Sequence, residues 1–337
     1  MKRAFWLFLF SLFTLGCAVQ TVPPAHVAEA PALSQQLVIV SSFNPMSAPE
    51  KKYVDGHVSA FMNRINWAQI EVTQGKYNFS TLDSMDSQWI LQGKKVALIV
   101  SPASDQGVNT ATPAYVLSQT PKTAPCNAFP SPCPITDTAF FEARYEAFIQ
   151  ALLAHLAPIS NSVFYVRFGT TGGGESCPHC YLAHPWPGGE AAFMAYLQNL
   201  ATFVKNLHSP VQVVFDMNGC INNQWADQMG DIAAGAGLGI GMDSVRASDV
   251  TAYSSGKQCS SDWCKKFQQY PAVFHYLQSY DPDTIPDVLT YLPFVREQQF
   301  NVRALELPEK YLDAAYNPAN PSYAQYHVAL QKALQLP

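Results

Sequence analysis

Eight short runs rich in Val, Ile, Leu and Phe recur along the chain, separated by longer stretches with apolar residues every three or four positions. The runs are LVIVSSF (37–43), HVSAFMNRINW (57–67), KVALIVS (95–101) and VFYVRFG (163–169), then VQVVFDMN (211–218), LGIGMDS (238–244), VFHYLQSY (273–280) and NVRALEL (301–307). Most are near-continuous rather than alternating, the pattern of parallel strands covered on both faces. Four of the intervening stretches read as amphipathic helices. One places Leu82, Met85, Trp89 and Ile90 on a single face and stops at Gly93, and a second repeats Phe141, Tyr145, Phe148, Leu152 and Leu156. The other two are EAAFMAYLQNLATFVKNLH (190–208) and IPDVLTYLPFVREQQ (285–299), which begins close to Pro286, a favoured first-turn residue. A last amphipathic stretch, SYAQYHVALQKALQ (322–335), closes the chain. Eight strands, each followed by a helix or a long loop, predict a single (β/α)8 TIM barrel over residues 36–337, in the α/β class. A doubly wound open sheet is the alternative; it needs fewer strands, and no G-x-G-x-x-G follows the first run.

The first residues do not fit this alternation. Lys2 and Arg3 precede an uncharged apolar stretch, Ala4 to Gly16, which is short for a bilayer span and reads as a secretory signal. It ends in Thr14-Leu15-Gly16-Cys17, which resembles a bacterial lipobox. The resemblance implies a signal peptide over 1–16, lipidation of Cys17 and attachment to a membrane. With Ala18 next, the resemblance to Gram-negative lipoproteins implies the outer membrane, facing the periplasm or the cell surface. Ordinary secretion with loss of Cys17 is the alternative. Residues 17–35 are rich in Ala and Pro without a period and read as a tether.

Charge changes the picture mainly by exclusion. Only 13% of the 337 residues are charged, against roughly 25% in an average domain, and the net charge is −5 without a basic cluster. That leaves no footprint for nucleic acid and suits an uncharged ligand such as a carbohydrate.

The chain has 8 cysteines, Cys17 among them. In an oxidising compartment the rest predict disulfides. Close pairs are Cys126 with Cys133, Cys177 with Cys180, and Cys259 with Cys264, which would staple the long βα loops and leave Cys220 over. Spacing does not fix the connectivity, so the odd cysteine could be any of them. Cys177, His179, Cys180 and His184 could instead hold zinc, but one Cys-x-x-Cys without a second pair favours the disulfide. No phosphate loop, H-E-x-x-H or G-x-S-x-G is present, so the expectation is no metal and no cofactor.

A TIM barrel keeps its site at the C-terminal ends of its strands, and this ranks the polar residues. Carboxylates follow strands four to eight. Glu175 follows strand four inside RFGTTGGGESCPHCY, whose glycines allow close approach of backbone to a ligand. Glu306 lies in strand eight, with Asp243 in strand six as its rival for a second carboxylate; Asp216 trails, being as easily a loop cap. Glu306 could also be a structural carboxylate paired with Arg303, Arg64 or Arg167. Arg64 could hold a site carboxylate ionised. Asn66, Asn218 and Gln278 stand at strand ends as substrate-binding candidates. Trp67, Trp186, Trp225 and Trp263 follow strands two, four, five and six, where flat rings could stack on sugars. Glu71, past strand two, reads as structural.

INWAQIEVTQGKYNFSTLD (65–83), followed by GKKVALIVSP (93–102), resembles the second and third strands of retaining glycoside hydrolases of the large (β/α)8 clan. That clan includes cellulases and bacterial β-galactosidases, in which Trp-x-x-Ile-Glu-Pro-x-x-Gly-x-Tyr-x-Phe recurs; Val72 replaces the Pro here. The resemblance implies a glycosidase with a Glu acid/base after strand four, which maps onto Glu175, although Gly174 stands where the clan has Asn. It also implies a Glu nucleophile after strand seven, where this chain offers Gln278 and Asp281; the next Glu is Glu306. A glycosidase using Glu175 with Glu306 or Asp243 is therefore the expected function. A non-catalytic glycan-binding lipoprotein on a degenerate barrel is the alternative.

Overall fold

The computed structural model describes residues 38–42, 58–104, 110–122, 134–171, 174–176, 188–217, 223–245, 262–279 and 300–335, all within the compact unit Leu33–Pro337. Eight strands form a closed barrel in the order β1 to β8. They are β1 (Val38–Ser42), β2 (Ala60–Asn66), β3 (Lys95–Ser101) and β4 (Val163–Phe168), then β5 (Val213–Asp216), β6 (Gly239–Val245), β7 (His275–Ser279) and β8 (Val302–Pro308). Every neighbouring pair is parallel, and β1 closes on β8 with Val40 beside Glu306.

The described helices are α1 (Trp67–Ile70), α2 (Ser80–Ile90), α3 (Ala114–Gln119), α4 (Ala139–Leu156), α5 (Gly189–Asn206), α6 (Asn223–Gly235), α7 (Asp262–Gln269), α8 (Glu309–Tyr316) and α9 (Tyr323–Gln335). In α4 the Thr138 hydroxyl caps the N-terminus by accepting from the Phe141 N–H, and the stripe Phe141, Tyr145, Phe148, Leu152 and Leu156 is buried on the sheet. In α2 the Trp89 ring stacks on Phe61 of β2 at 3.6 Å and 6°.

Two apolar clusters result. The larger lies between strands and helices. The smaller fills the barrel, where Ala60, Ala97 and Ala304 leave room for Tyr165, Phe274 and Tyr276. Gly241 is part of the same fit, because a Cβ there would lie 2.0 Å from the Tyr276 ring. Burying a large side chain contributes roughly 1.5–3 kcal/mol, so these rings fix the layer on which the polar residues above them stand.

Several expectations shift. The second run stops as a strand at Asn66, and Trp67 opens a helix instead of extending β2. β5 is shorter than VQVVFDMN implies. The helix expected over 285–299 lies outside the described residues, as do the signal segment, the tether and Cys17. Among the described residues, no helix is long and apolar enough to cross a membrane. Cys264 is disulfide-bonded, while Cys126, Cys133, Cys177, Cys180, Cys220 and Cys259 lie outside the described residues.

Candidate functional site

Side chains alternate in and out along a strand, and near the C-terminal ends of β4, β5, β7 and β8 the inward positions turn from apolar to polar. Tyr165 and Arg167 alternate on β4, Tyr276 and Gln278 on β7, and Ala304 and Glu306 on β8, with Asp216 ending β5. Arg167 is 1% exposed at the centre of this layer. Its Nη1 donates to Gln278 Oε1 at 2.9 Å and Tyr276 Oη at 3.2 Å, and lies 3.6 Å from Glu306 Oε2 and 4.0 Å from Asp216 Oδ2. The guanidinium also lies 5.4 Å from the centre of the Tyr276 ring, within cation–π range. From across the barrel the Tyr165 hydroxyl donates to Glu306 Oε1.

Glu306 is fully buried, and its Oε2 makes no hydrogen bond among the described residues. Loss of water raises its carboxyl above the ordinary range; Arg167, the Tyr165 hydroxyl and, more weakly, Arg64 pull it back. Burial and the Glu306 charge push the Tyr165 hydroxyl well up, so it stays protonated and donates. Strand-eight Glu306 and strand-seven Gln278 are neighbours in register, so one guanidinium serves both.

Glu175 is half-buried beyond β4. Its carbonyl accepts from the Thr170 N–H at 3.0 Å, and Gly169 just before accepts from the Tyr145 hydroxyl at 2.7 Å. Gly174 has φ +80, and a Cβ there would sit 2.1 Å from Ile99 Cγ2; one on Gly169 would sit 2.5 Å from Gly174 Cα. The clan's Asn tolerates the left-handed torsion but has no room against Ile99. Ser101, ending β3, is buried close by with its hydroxyl unpaired among the described residues.

The other candidates divide. Strand alternation puts Arg64 on the inner face of β2, where its side chain is exposed. Asn66 is half-buried at the end of the same strand, its N–H donating to Gln69 Oε1 at 2.9 Å. Asp243 lies in β6 where the register with β7 shifts. Trp225 and Trp263 stand in the first turns of α6 and α7. The side chains of Asp243, Trp225 and Trp263, and the whole of Trp186 and Asn218, lie outside the described residues.

Trp67 is a correction. It is 0% exposed, packed among Phe141, Tyr145 and Phe148, because helical torsions at the strand end turn it outward against α4. Its Nε1 donates to Glu71 Oε2 at 2.7 Å, while Glu71 Oε1 accepts from the Gly75 N–H at 2.6 Å and Arg144 Nη2 at 2.7 Å. The motif around Trp67 is a local clamp, and no face of that ring is open to a sugar.

Sequence reasoning passed over Arg167, Tyr165 and Tyr276 as site members. The available signal was a Tyr-x-Arg on one face of a strand directly ahead of the glycine-rich loop.

No family model matches the chain, and no curated protein matches it. Among solved structures it is similar to the catalytic domain of β-amylase from Paenibacillus polymyxa, with TM-score 0.58 and 11% identity over 89% of this chain and 98% of that one. It is also similar to an exo-β-1,4-mannosidase from Opitutaceae bacterium strain TAV5, with TM-score 0.51 and 11% identity over 89% of this chain and 60% of that one. At that identity the likeness establishes the barrel and nothing narrower.

Proposed function

We propose that this protein is an exported, lipid-anchored glycoside hydrolase that cleaves glycosidic bonds with Glu175 and Glu306. The observation that carries the reading is the inward polar layer. It holds a buried carboxylate, Glu306, that is paired on one oxygen, flanked by Arg167 and left without a hydrogen bond on the other. A buried acceptor left without a partner on the inward face of a barrel is one that a bound ligand can complete. The barrel's likeness to a β-amylase and a mannosidase supports the same class. The lipobox-like Cys17 supports the anchor.

In this reading Glu175 donates a proton to the leaving glycosidic oxygen, and Glu306, ionised, attacks the anomeric carbon or takes a proton from the attacking water. Carboxyls about 5–5.5 Å apart give retention, and about 6.5–9.5 Å gives inversion. The test is release of reducing ends from a panel of neutral glycans by wild type and Glu175→Gln. The substitution should lower turnover by about 10²–10⁴-fold; equal rates on a verified substrate would overturn the assignment.

A second reading has its own observation. Glu306 is 0% exposed and Gln278 supplies an uncharged amide on β7, which also suits a barrel that binds glycans without cleaving them. Affinity on a glycan array with no released product would select it.

A further inference from the structure

Besides Glu306 and Asp216, the layer contains a buried hydroxyl. Tyr165 starts on β4, and its hydroxyl reaches Glu306 on β8 while its ring stacks on Tyr276 at 5.7 Å and 11°. The ring is fully buried and wedged against Phe274 as well, so the hydroxyl has little freedom to leave. Arg167, two residues on, faces the other Glu306 oxygen. The carboxyl is thus gripped on Oε1 by a neutral donor and approached on Oε2 by a cation that is itself shared with Gln278, Tyr276 and Asp216.

We infer that Tyr165 is the positioning residue of Glu306: its hydroxyl fixes the carboxylate plane and leaves Oε2 as the oxygen open to chemistry. The inference rests on the hydrolase reading for its consequence in turnover, but not for its effect on the carboxyl. The charged and titratable side chains described around Glu306 are Tyr165 and Arg167 from β4, Asp216 from β5, Tyr276 from β7 and Arg64 from β2. The facing parts of β1 and β3 contribute Val40, Ala97, Ile99 and Ser101, none of which titrates between pH 3 and 11. Of these groups only Tyr165 donates to Oε1. Arg167 stays charged throughout, so removing the tyrosine hydroxyl takes away one hydrogen bond while leaving the cation in place.

The test is Tyr165→Phe, which keeps the ring and its stacking. The carboxyl band of Glu306 is followed by infrared titration and assigned by difference against Glu306→Gln. A hydrogen bond to the ionised form favours that form, so its loss should move the Glu306 titration to higher pH. On a hydrolysed glycan the acid limb of the rate profile should move the same way, with turnover down about ten-fold or more and KM nearly unchanged. Tyr270→Phe on the outer surface should change neither. An unmoved titration, or one that falls because Glu306 is the donor, overturns the inference. A titration that moves in a protein releasing no product from any glycan upholds the positioning and removes the hydrolase reading instead.

Discussion

Glu71 and Glu306 are both fully buried, and their surroundings differ in kind. Glu71 lies outside the barrel and takes three donors on two oxygens, from Trp67, Gly75 and Arg144. Glu306 lies inside and takes one hydroxyl, with a shared guanidinium at 3.6 Å and an oxygen left over. The first closes a turn that joins β2 to the helical layer. The second carries an unspent capacity to accept a proton or a hydrogen bond, which the proposed hydrolase reading puts to use.

The same substitution should separate them. Glu306→Gln should abolish turnover by about 10²–10⁴-fold on a cleaved glycan. Its folding stability should change by no more than about 1 kcal/mol, because the amide still accepts from Tyr165 and Arg167 keeps Gln278 and Asp216. Thermal melts beside rate assays check both halves, and a large loss of stability would make Glu306 a second structural acid. Glu71→Gln should do the reverse. One oxygen becomes an NH2 facing a donor, so unfolding free energy should fall by about 3 kcal/mol in denaturant titration. The rate per folded molecule should hold.

Asp86 sharpens the scale between the two, with the smallest effect. It is buried behind β2, Oδ1 accepting from Asn63 Nδ2 at 2.7 Å and Oδ2 without a hydrogen bond among the described residues. Burial raises its carboxyl from 3.8 to about 6, against the pull of Asn63. Between those values the folded state keeps a proton the unfolded state has released, so stability falls as pH rises through that window and the loss is complete above it. Asp86→Asn should flatten stability between about pH 4 and pH 6 and add about 1 kcal/mol at pH 8. A slope unchanged by the substitution would place the titrating group elsewhere.

The barrel was legible because its strands are continuous Val, Ile and Leu runs, and seven of the eight ended within two residues of where the pattern put them at both ends. α6 was not, since NQWADQMGDIAAG carries too few apolar residues at helical spacing to stand out. The structural role of Glu71 was readable from its place beyond the strand. The role of Trp67 was not, because a sugar platform and a core ring look alike until the chain turns. Arg167 was visible only as a possible partner of Glu306. An aromatic in a strand reads as core, so Tyr165 and Tyr276 gave no warning that their hydroxyls reach a carboxylate and a guanidinium.

Gly169 and Gly174 bring two stretches of backbone into contact; a Cβ on the first would strike the second, and one on the second would strike Ile99 of β3. With the Thr170 N–H bonded to the Glu175 carbonyl and the Tyr145 hydroxyl bonded to the Gly169 carbonyl, the backbone of Glu175 is tied to the end of β4 and through it to α4. A substitution at Tyr145 in the outer helical layer would therefore be felt at the backbone that carries the acid, without touching any side chain of the inward polar layer.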